Sequence, residues 1–177
     1  RLVRIRAAYA LASIPREMLR KEDQDVLAKV SDELEQSYQV QRDSWSSHYS
    51  LGNYYSARGW LEKAIKSYET SMKLRMDVIS PMVNAATIYA RLNRNDDAER
   101  VLRKAVSIEP ESDGVRFNLG LLLAEKGDRV EAIVHLKKAV EVNPNQAQAA
   151  YNLGILMIQD GDNGGLDYLK KAFDIIP

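Results

Sequence analysis

The sequence contains no cysteine, only two histidines and no excess of charge of either sign. The absence of cysteine excludes, within this chain, disulfide bonds, cysteine zinc sites, thiol nucleophiles and covalent c-type haem attachment. Basic and acidic residues number 25 each, which argues against non-specific binding to nucleic acid or anionic membranes, because both need a clustered positive field. No apolar run approaches the ~20 residues that span a bilayer. We therefore expect no nucleic-acid partner and no membrane insertion.

Residues that usually carry catalysis or bind cofactors are also scarce. The motifs HExxH, GxSxG, GxxxxGK[ST] and CxxCH do not occur. His48 is interpreted as a filler at the edge of the core, and His135, beside Lys137 and Lys138, as part of a solvated face. The glycine-rich run at 161–165 follows no predicted strand, so it is a weak candidate for a phosphate site. We expect a non-catalytic protein with no catalytic residue, no metal site and no cofactor.

What the sequence does contain is an internal repeat with a period of 34 residues. Its clearest copy spans residues 113–146, and the last copy loses one residue between Asp162 and Gly165. The pair Leu119 and Gly120 has its counterparts at Leu51 and Gly52, Ala85 and Ala86, and Leu153 and Gly154. This pattern resembles the tetratricopeptide repeat. The resemblance implies an all-α, right-handed solenoid of helix-turn-helix repeats at 45–78, 79–112, 113–146 and 147–177, together the domain 45–177.

Individual residues predict how the first two repeats fold. Gly52 and Ala64 are expected where the two helices of the first repeat cross, because larger side chains would push these helices apart. Asn93 is expected in the turn of the second repeat, since asparagine tolerates a left-handed backbone. Asp96 is expected to cap the helix that follows this turn.

Two departures from the repeat pattern predict local changes. Met76 stands in the place of the usual proline, so the second helix of the first repeat is expected to extend further before Pro81 starts the next helix. Residues 162–165 form a poor helix start, so the last helix is expected to be short and to begin near Leu166.

The residues before the repeats, 1–44, predict a separate helical segment. Residues 1–14 read as a helix that Pro15 ends, and they resemble the second helix of a HEAT repeat. Its apolar face is formed by Leu2, Val3, Ile5, Ala8, Leu11 and Ala12. Asp23 or Asp25 is expected to cap a second helix running to about residue 42. The apolar stripe of that helix consists of Val26, Val30, Leu34 and Tyr38. It either packs as the second helix of a preceding repeat or connects two repeat arrays.

The resemblance to tetratricopeptide proteins implies a binding groove, because the first helix of each repeat lines the concave side of the array. Phe117, Leu121, Tyr151, Ile155 and Ile158 would form a contiguous apolar strip there, and exposed apolar strips usually mark interaction sites. An additional C-terminal helix that covers the strip is the alternative. The groove residues so predicted are Tyr49, Asn53, Val83, Asn84, Thr87, Arg91, Phe117, Asn118, Leu121, Tyr151, Asn152, Ile155, Ile158 and Gln159.

Three asparagines recur with the repeat period, at Asn84, Asn118 and Asn152. They resemble the asparagine ladder with which the repeats of O-linked N-acetylglucosamine transferase hold an extended peptide backbone. An amide side chain both donates and accepts, so it can pair with a peptide unit of any sequence. The alternative is that these asparagines satisfy neighbouring backbone groups.

The groove differs from the carboxylate clamp of tetratricopeptide co-chaperones of heat-shock proteins. Asn53 matches one asparagine of that clamp. Tyr49 stands where the clamp has a lysine, and Thr87 stands where it has a second asparagine. The sequence therefore argues against a clamp for a terminal carboxylate.

The order of segments, a HEAT-like helix followed by a long helix and tetratricopeptide repeats, also resembles the C-terminal region of bacterial multihaem c-type cytochromes. This resemblance implies a periplasmic parent protein; without it the expected location is cytoplasmic. The leading hypothesis is a scaffold that binds a partner peptide or helix in the groove. The alternative is self-association through the C-terminal repeat, or docking to another domain of the same parent, suggested by Phe173, Ile175 and Ile176 at the end of the last repeat.

Overall fold

All regular structure in the described part of the chain is helical, as the sequence predicts. The computed structural model describes residue 14, residues 18–39 and residues 43–175. Apart from residue 14, the predicted helix at 1–14 lies outside these residues, and so does the predicted end of the next helix near residue 42. The helices are α1 (Lys21–Gln39), α2 (Trp45–Ala57), α3 (Leu61–Leu74), α4 (Ser80–Arg91), α5 (Asn95–Ile108), α6 (Asp113–Lys126), α7 (Arg129–Val142), α8 (Ala147–Gln159) and α9 (Gly165–Ile175).

The chain divides into two compact units, residues 1–88 and residues 89–177, with the boundary inside α4. In the first unit, α2 and α3 pack closely at Gly52, where an added Cβ would overlap the ring of Tyr68. Tyr68 is fully buried, and its hydroxyl donates to Asn53 Oδ1 over 2.8 Å. Ala64 is also fully buried in α3. The prediction that Gly52 lies where the two helices of the first repeat cross is therefore confirmed.

Helix α1 buries Val30 and Leu34 of its predicted apolar stripe, but not Val26. Val26 is 59% exposed, while Leu27 and Ser31 are buried beside Val30 and Leu34. The hydroxyl of Ser31 donates to Leu27 O over 2.7 Å and is hydrogen-bonded to the hydroxyl of Tyr54. Ser31 can therefore lie on the buried face of α1, because its hydroxyl is hydrogen-bonded there, in part to a tyrosine of α2.

The predicted cap of α1 is also wrong. The helix begins at Lys21, so Asp23 lies inside its first turn and Asp25 lies further along. The carboxylate of Asp23 instead accepts from Arg20 Nε over 2.8 Å.

Helix α3 ends at Leu74 and does not extend past Met76, contrary to the prediction. Arg75 has an extended backbone, with φ of −144°, and its guanidinium bonds Asp77 Oδ1 over 2.9 Å. Leu74 and Met76 are both exposed, so the end of α3 buries little apolar surface. Without such burial a short helical extension is only marginally stable.

In the second unit, α6 and α7 form one helix pair and α8 and α9 form the next. Asn93, in the turn before α5, has a φ of 58°, which confirms the predicted left-handed turn. The prediction that Asp96 caps α5 is wrong, because α5 begins at Asn95 and no side chain caps it. Asp96 is 97% exposed and pairs with Lys126. Helix α7, in contrast, has a side-chain cap, because Asp128 accepts from the backbone N–H of Glu131.

The last helix pair is held by two glycines that face each other. A Cβ added to Gly154 would lie 2.7 Å from the carbonyl oxygen of Gly165, and one added to Gly165 would lie 2.5 Å from that of Gly154. Asp162 accepts from the backbone N–H of Gly164 over 2.8 Å and so shapes the turn. Helix α9 has only 11 residues. The prediction of a short and late last helix is confirmed, one residue earlier than expected.

Candidate interaction surfaces

In the second unit, the predicted groove residues lie on α6 and α8, the first helix of each pair. Tyr151 is 50% exposed and Ile158 is 38% exposed. Gln159 is exposed as well. The remaining members of this set are half-buried, and they are Phe117, Asn118, Leu121, Asn152 and Ile155. Arg91, in the last turn of α4, is exposed.

Phe117 contributes to the core as well as to the surface of α6. Its ring packs against a buried cluster formed by Leu136, Ala139, Val140, Ala149, Ala150, Leu153, Met157 and Ala172. This cluster joins α7, α8 and α9. A change at Phe117 would therefore alter stability together with any binding, and the surface is better tested at Ile155 or Ile158.

Tyr151 also contributes to a cavity formed by α8 and α9. It lines a cavity of about 340 Å³ together with Ala147, Gln148, Asn152, Ala172 and Phe173. Phe173 is 77% exposed at this cavity. The sequence did not reveal the cavity, although it carried a signal: Phe173 stands at the repeat position that Met72, Val106 and Val140 occupy in the earlier copies.

In the first unit, the structure brings Tyr49, Asn53 and Asn84 together. Asn84 Nδ2 donates to Asn53 Oδ1 over 2.8 Å and to Tyr49 Oη over 3.4 Å. Val83 is half-buried, and the exposed Thr87 donates to the carbonyl oxygen of Val83 over 3.0 Å. These contacts connect α2 to α4 within the unit.

Two of the three periodic asparagines already use their amide donors inside the chain. Asn84 donates to Asn53, and Asn152 Nδ2 donates to the carbonyl oxygen of Gln148 over 2.7 Å. A peptide held by these two residues would have to exchange those bonds. Asn118 is half-buried on α6.

The basic residues of α5 form a balanced network with acidic neighbours. Arg103 bonds Glu99 over 2.8 Å and Glu131 over 2.5 Å, while Lys126 bonds Glu99 over 2.6 Å. Lys126 and Arg103 hold the pKa of the Glu99 carboxyl below its usual range. Asp97 likewise pairs with Arg94 and Arg100 over 2.8 Å each. Each of these three arginines, and Lys126, is therefore paired with an acidic residue.

His135 is buried, which corrects its assignment to a solvated face. It is only 7% exposed, and Arg116 Nη1 lies 3.1 Å from its Nδ1. Since a guanidinium can only donate, Nδ1 accepts and the ring proton sits on Nε2, 3.6 Å from Glu131 Oε1. Burial lowers the pKa of His135, and Arg116 lowers it further. The repeat period could have indicated that His135 is buried, because the residues at the equivalent positions, Ser67 and Val101, are buried too.

Among the described residues, no group of three or more histidine, cysteine and carboxylate side chains is placed to hold a metal. In the same part of the chain, no helix is long and apolar enough to cross a membrane.

The fold and these surfaces define a helical repeat protein, and comparison with known families identifies the repeat. Two family models described as tetratricopeptide repeat match the chain, one over residues 46–75 and one over residues 89–150. The chain therefore carries tetratricopeptide repeats, as the 34-residue period indicates. No curated protein matches the sequence.

Several solved structures share the fold. A crystal structure of MamA has a TM-score of 0.76 at 18% identity and covers 88% of this chain and 90% of its own. MamA from Desulfovibrio magneticus RS-1 has a TM-score of 0.73 at 16% identity, covering 97% and 94%. YrrB, described as a TPR protein with an unusual peptide-binding site, has a TM-score of 0.71 at 23% identity, covering 98% and 85%. At these identities the likeness shows the fold. The comparisons give no support to the resemblance to cytochromes.

Proposed function

We propose that this protein is a non-catalytic scaffold that binds a partner peptide or helix along α6 and α8. Tetratricopeptide proteins are protein-interaction scaffolds, and YrrB, which shares the fold, is described as having a peptide-binding site. The observation that carries the proposal is the exposed apolar surface of Ile158 in α8. Two half-buried apolar residues accompany it, Leu121 in α6 and Ile155 in α8. Exposed apolar patches on soluble proteins commonly mark interaction sites.

The chemistry of these positions indicates what kind of partner they bind. The polar groove residues of α6 and α8 are the uncharged amides Asn118, Asn152 and Gln159. Apolar side chains beside amides favour an uncharged, apolar peptide, because no fixed charge offsets the desolvation of a charged ligand. An acidic C-terminal tail is the ligand that this surface disfavours.

Selection from a display library of random peptides, followed by titration, tests the proposal. The selected peptides are expected to be rich in apolar residues and poor in charge. Ile155→Glu should weaken their binding at least tenfold, because it places a charge in the apolar surface. Val134→Glu is the matched control, since Val134 is 57% exposed on α7 and lies outside the predicted groove. Failure to enrich any peptide, or an equal loss in both variants, would contradict the proposal.

A second candidate function is self-association through the C-terminal repeat. It is supported by the cavity between α8 and α9, where Tyr151 and Phe173 expose aromatic surface. Sedimentation at several protein concentrations tests this candidate. A mass that rises with concentration is expected, and a monomer at every concentration would rule it out.

A further inference from the structure

The last two helix pairs of the second unit differ in how far two equivalent residues are buried, although the sequence repeats. In the pair α6 and α7, Val140 is 4% exposed and Phe117 is half-buried. Counting by the repeat, with the one-residue loss before Gly165, their counterparts in α8 and α9 are Phe173 and Tyr151. Those counterparts are the exposed aromatic residues of the 340 Å³ cavity.

The residues that cover Val140 and Phe117 belong to α8. Ala149, Ala150 and Leu153 are fully buried in the cluster that includes Val140 and packs against Phe117. Two adjacent alanines let α8 approach α7 closely, and the leucine three residues later fills the remaining space with one branched side chain. The cavity between α8 and α9 is therefore shaped to accept a helix with the same small–small–large pattern.

One segment of this chain outside the described residues has that pattern. Residues 7–12 read AAYALA, and residues 149–154 of α8 read AAYNLG. The match places Ala7, Ala8 and Leu11 at the positions of Ala149, Ala150 and Leu153. The sequence of residues 1–14 predicts an amphipathic helix, and Ala8 and Leu11 are on its apolar face.

We propose that residues 1–14 of a second copy of this chain dock in the cavity between α8 and α9, with Ala8 and Leu11 against Phe173 and Tyr151. This inference rests on the second candidate function, self-association, and names the segment that carries it. The two surfaces in contact are different, so the interface is heterologous. Such an interface leaves a free cavity at one end and a free segment at the other, and it therefore builds open chains unless a ring closes.

Sedimentation velocity of the full chain over a wide range of concentrations tests the proposal with two variants. Phe173→Asp places a charge in the cavity, and its control is Leu166→Asp, at an exposed residue of the same helix that does not line the cavity. Ala8→Glu places a charge on the segment, and its control is Ala10→Glu, which corresponds to the polar position Asn152. We expect each test variant to weaken association at least tenfold and both controls to associate like the wild type. Circular dichroism of each variant confirms that helix content is retained.

Mixing the two test variants gives the sharpest outcome. Phe173→Asp retains a functional segment and Ala8→Glu retains a functional cavity, so an equimolar mixture should form one-to-one dimers and nothing longer. A mixture that stays monomeric overturns the proposal. If the wild type is monomeric, self-association itself fails. If the wild type and Ala8→Glu associate equally while Phe173→Asp does not, self-association stands and the proposed segment is wrong.

Discussion

At the scale of single residues, Gly52 sets the distance between α2 and α3. A methyl group at this position would overlap the Tyr68 ring. That ring cannot move aside easily, because it is buried and its hydroxyl is bonded to Asn53. Burial raises the pKa of Tyr68 to about 12, so the phenol stays neutral and keeps this bond at physiological pH.

Gly52→Ala is therefore expected to destabilise the protein by ~1–3 kcal/mol, the usual cost of overpacking. Gly114→Ala is the matched control, because Gly114 also lies in a helix and its added Cβ would meet no atom within 4 Å. That control should be neutral or stabilising by up to ~1 kcal/mol, since alanine favours the helix more than glycine. Urea unfolding measures both values, and an equal effect of the two changes would contradict the explanation.

His135 makes stability depend on pH near neutrality. Its pKa in the folded protein is below the ordinary value of 6.5, so the unfolded chain takes up a proton that the folded chain does not. The free energy of unfolding should therefore fall as the pH drops below ~6.5. The charged groups around the ring are Arg116, Glu131 and Arg103, and Glu131 titrates only at lower pH because Arg103 lowers its pKa.

Urea midpoints at pH 7.5 and pH 5.5 measure this effect. We expect the wild type to lose stability between these values and His135→Gln to lose clearly less, because glutamine does not titrate. An unchanged pH dependence in the variant would show that other groups are responsible.

At the scale of helices, much of the structure could be predicted from the repeat period. The crossing at Gly52 and the turn at Asn93 follow from local sequence, because the repeat needs a small residue or a left-handed backbone there. The exposure of Val26 and the pairing of Asp96 with Lys126 could not be predicted in this way. Both depend on partners in other helices, which a single-sequence pattern does not reveal.

The network of Glu99, Arg103 and Lys126 connects α5 to α6 within the second unit, and Arg103 extends it to Glu131 in α7. Its side chains are partly solvated, so we expect each ion pair to contribute little to the free energy of unfolding. The buried cluster around Leu136 contributes more, because removing a buried leucine side chain costs ~2–5 kcal/mol.

Glu99→Gln should therefore cost less than ~1 kcal/mol, and most of that loss should disappear at high salt. Leu136→Ala should cost several times more, with little dependence on salt. Denaturant unfolding at low and high ionic strength compares the two, and a larger, salt-independent loss in Glu99→Gln would contradict this ranking.

At the scale of the whole molecule, the period predicted which residues of α6 and α8 would be candidates for the binding surface. It did not predict their surroundings. Tyr151 lines a cavity because Phe173 of α9 stands beside it, and Phe117 is partly used in the core. The division into residues 1–44 and 45–177, and the location of the protein in the cell, stay predictions.

The proposed scaffold function is tested most directly by nuclear magnetic resonance titration of the full chain with a selected apolar peptide. We predict that the amide signals that shift most belong to α6 and α8, around Leu121, Ile155 and Ile158. The signals around Val130 and Val134 on α7 should stay in place. Shifts centred on α7, or spread evenly over the chain, would contradict the proposed surface.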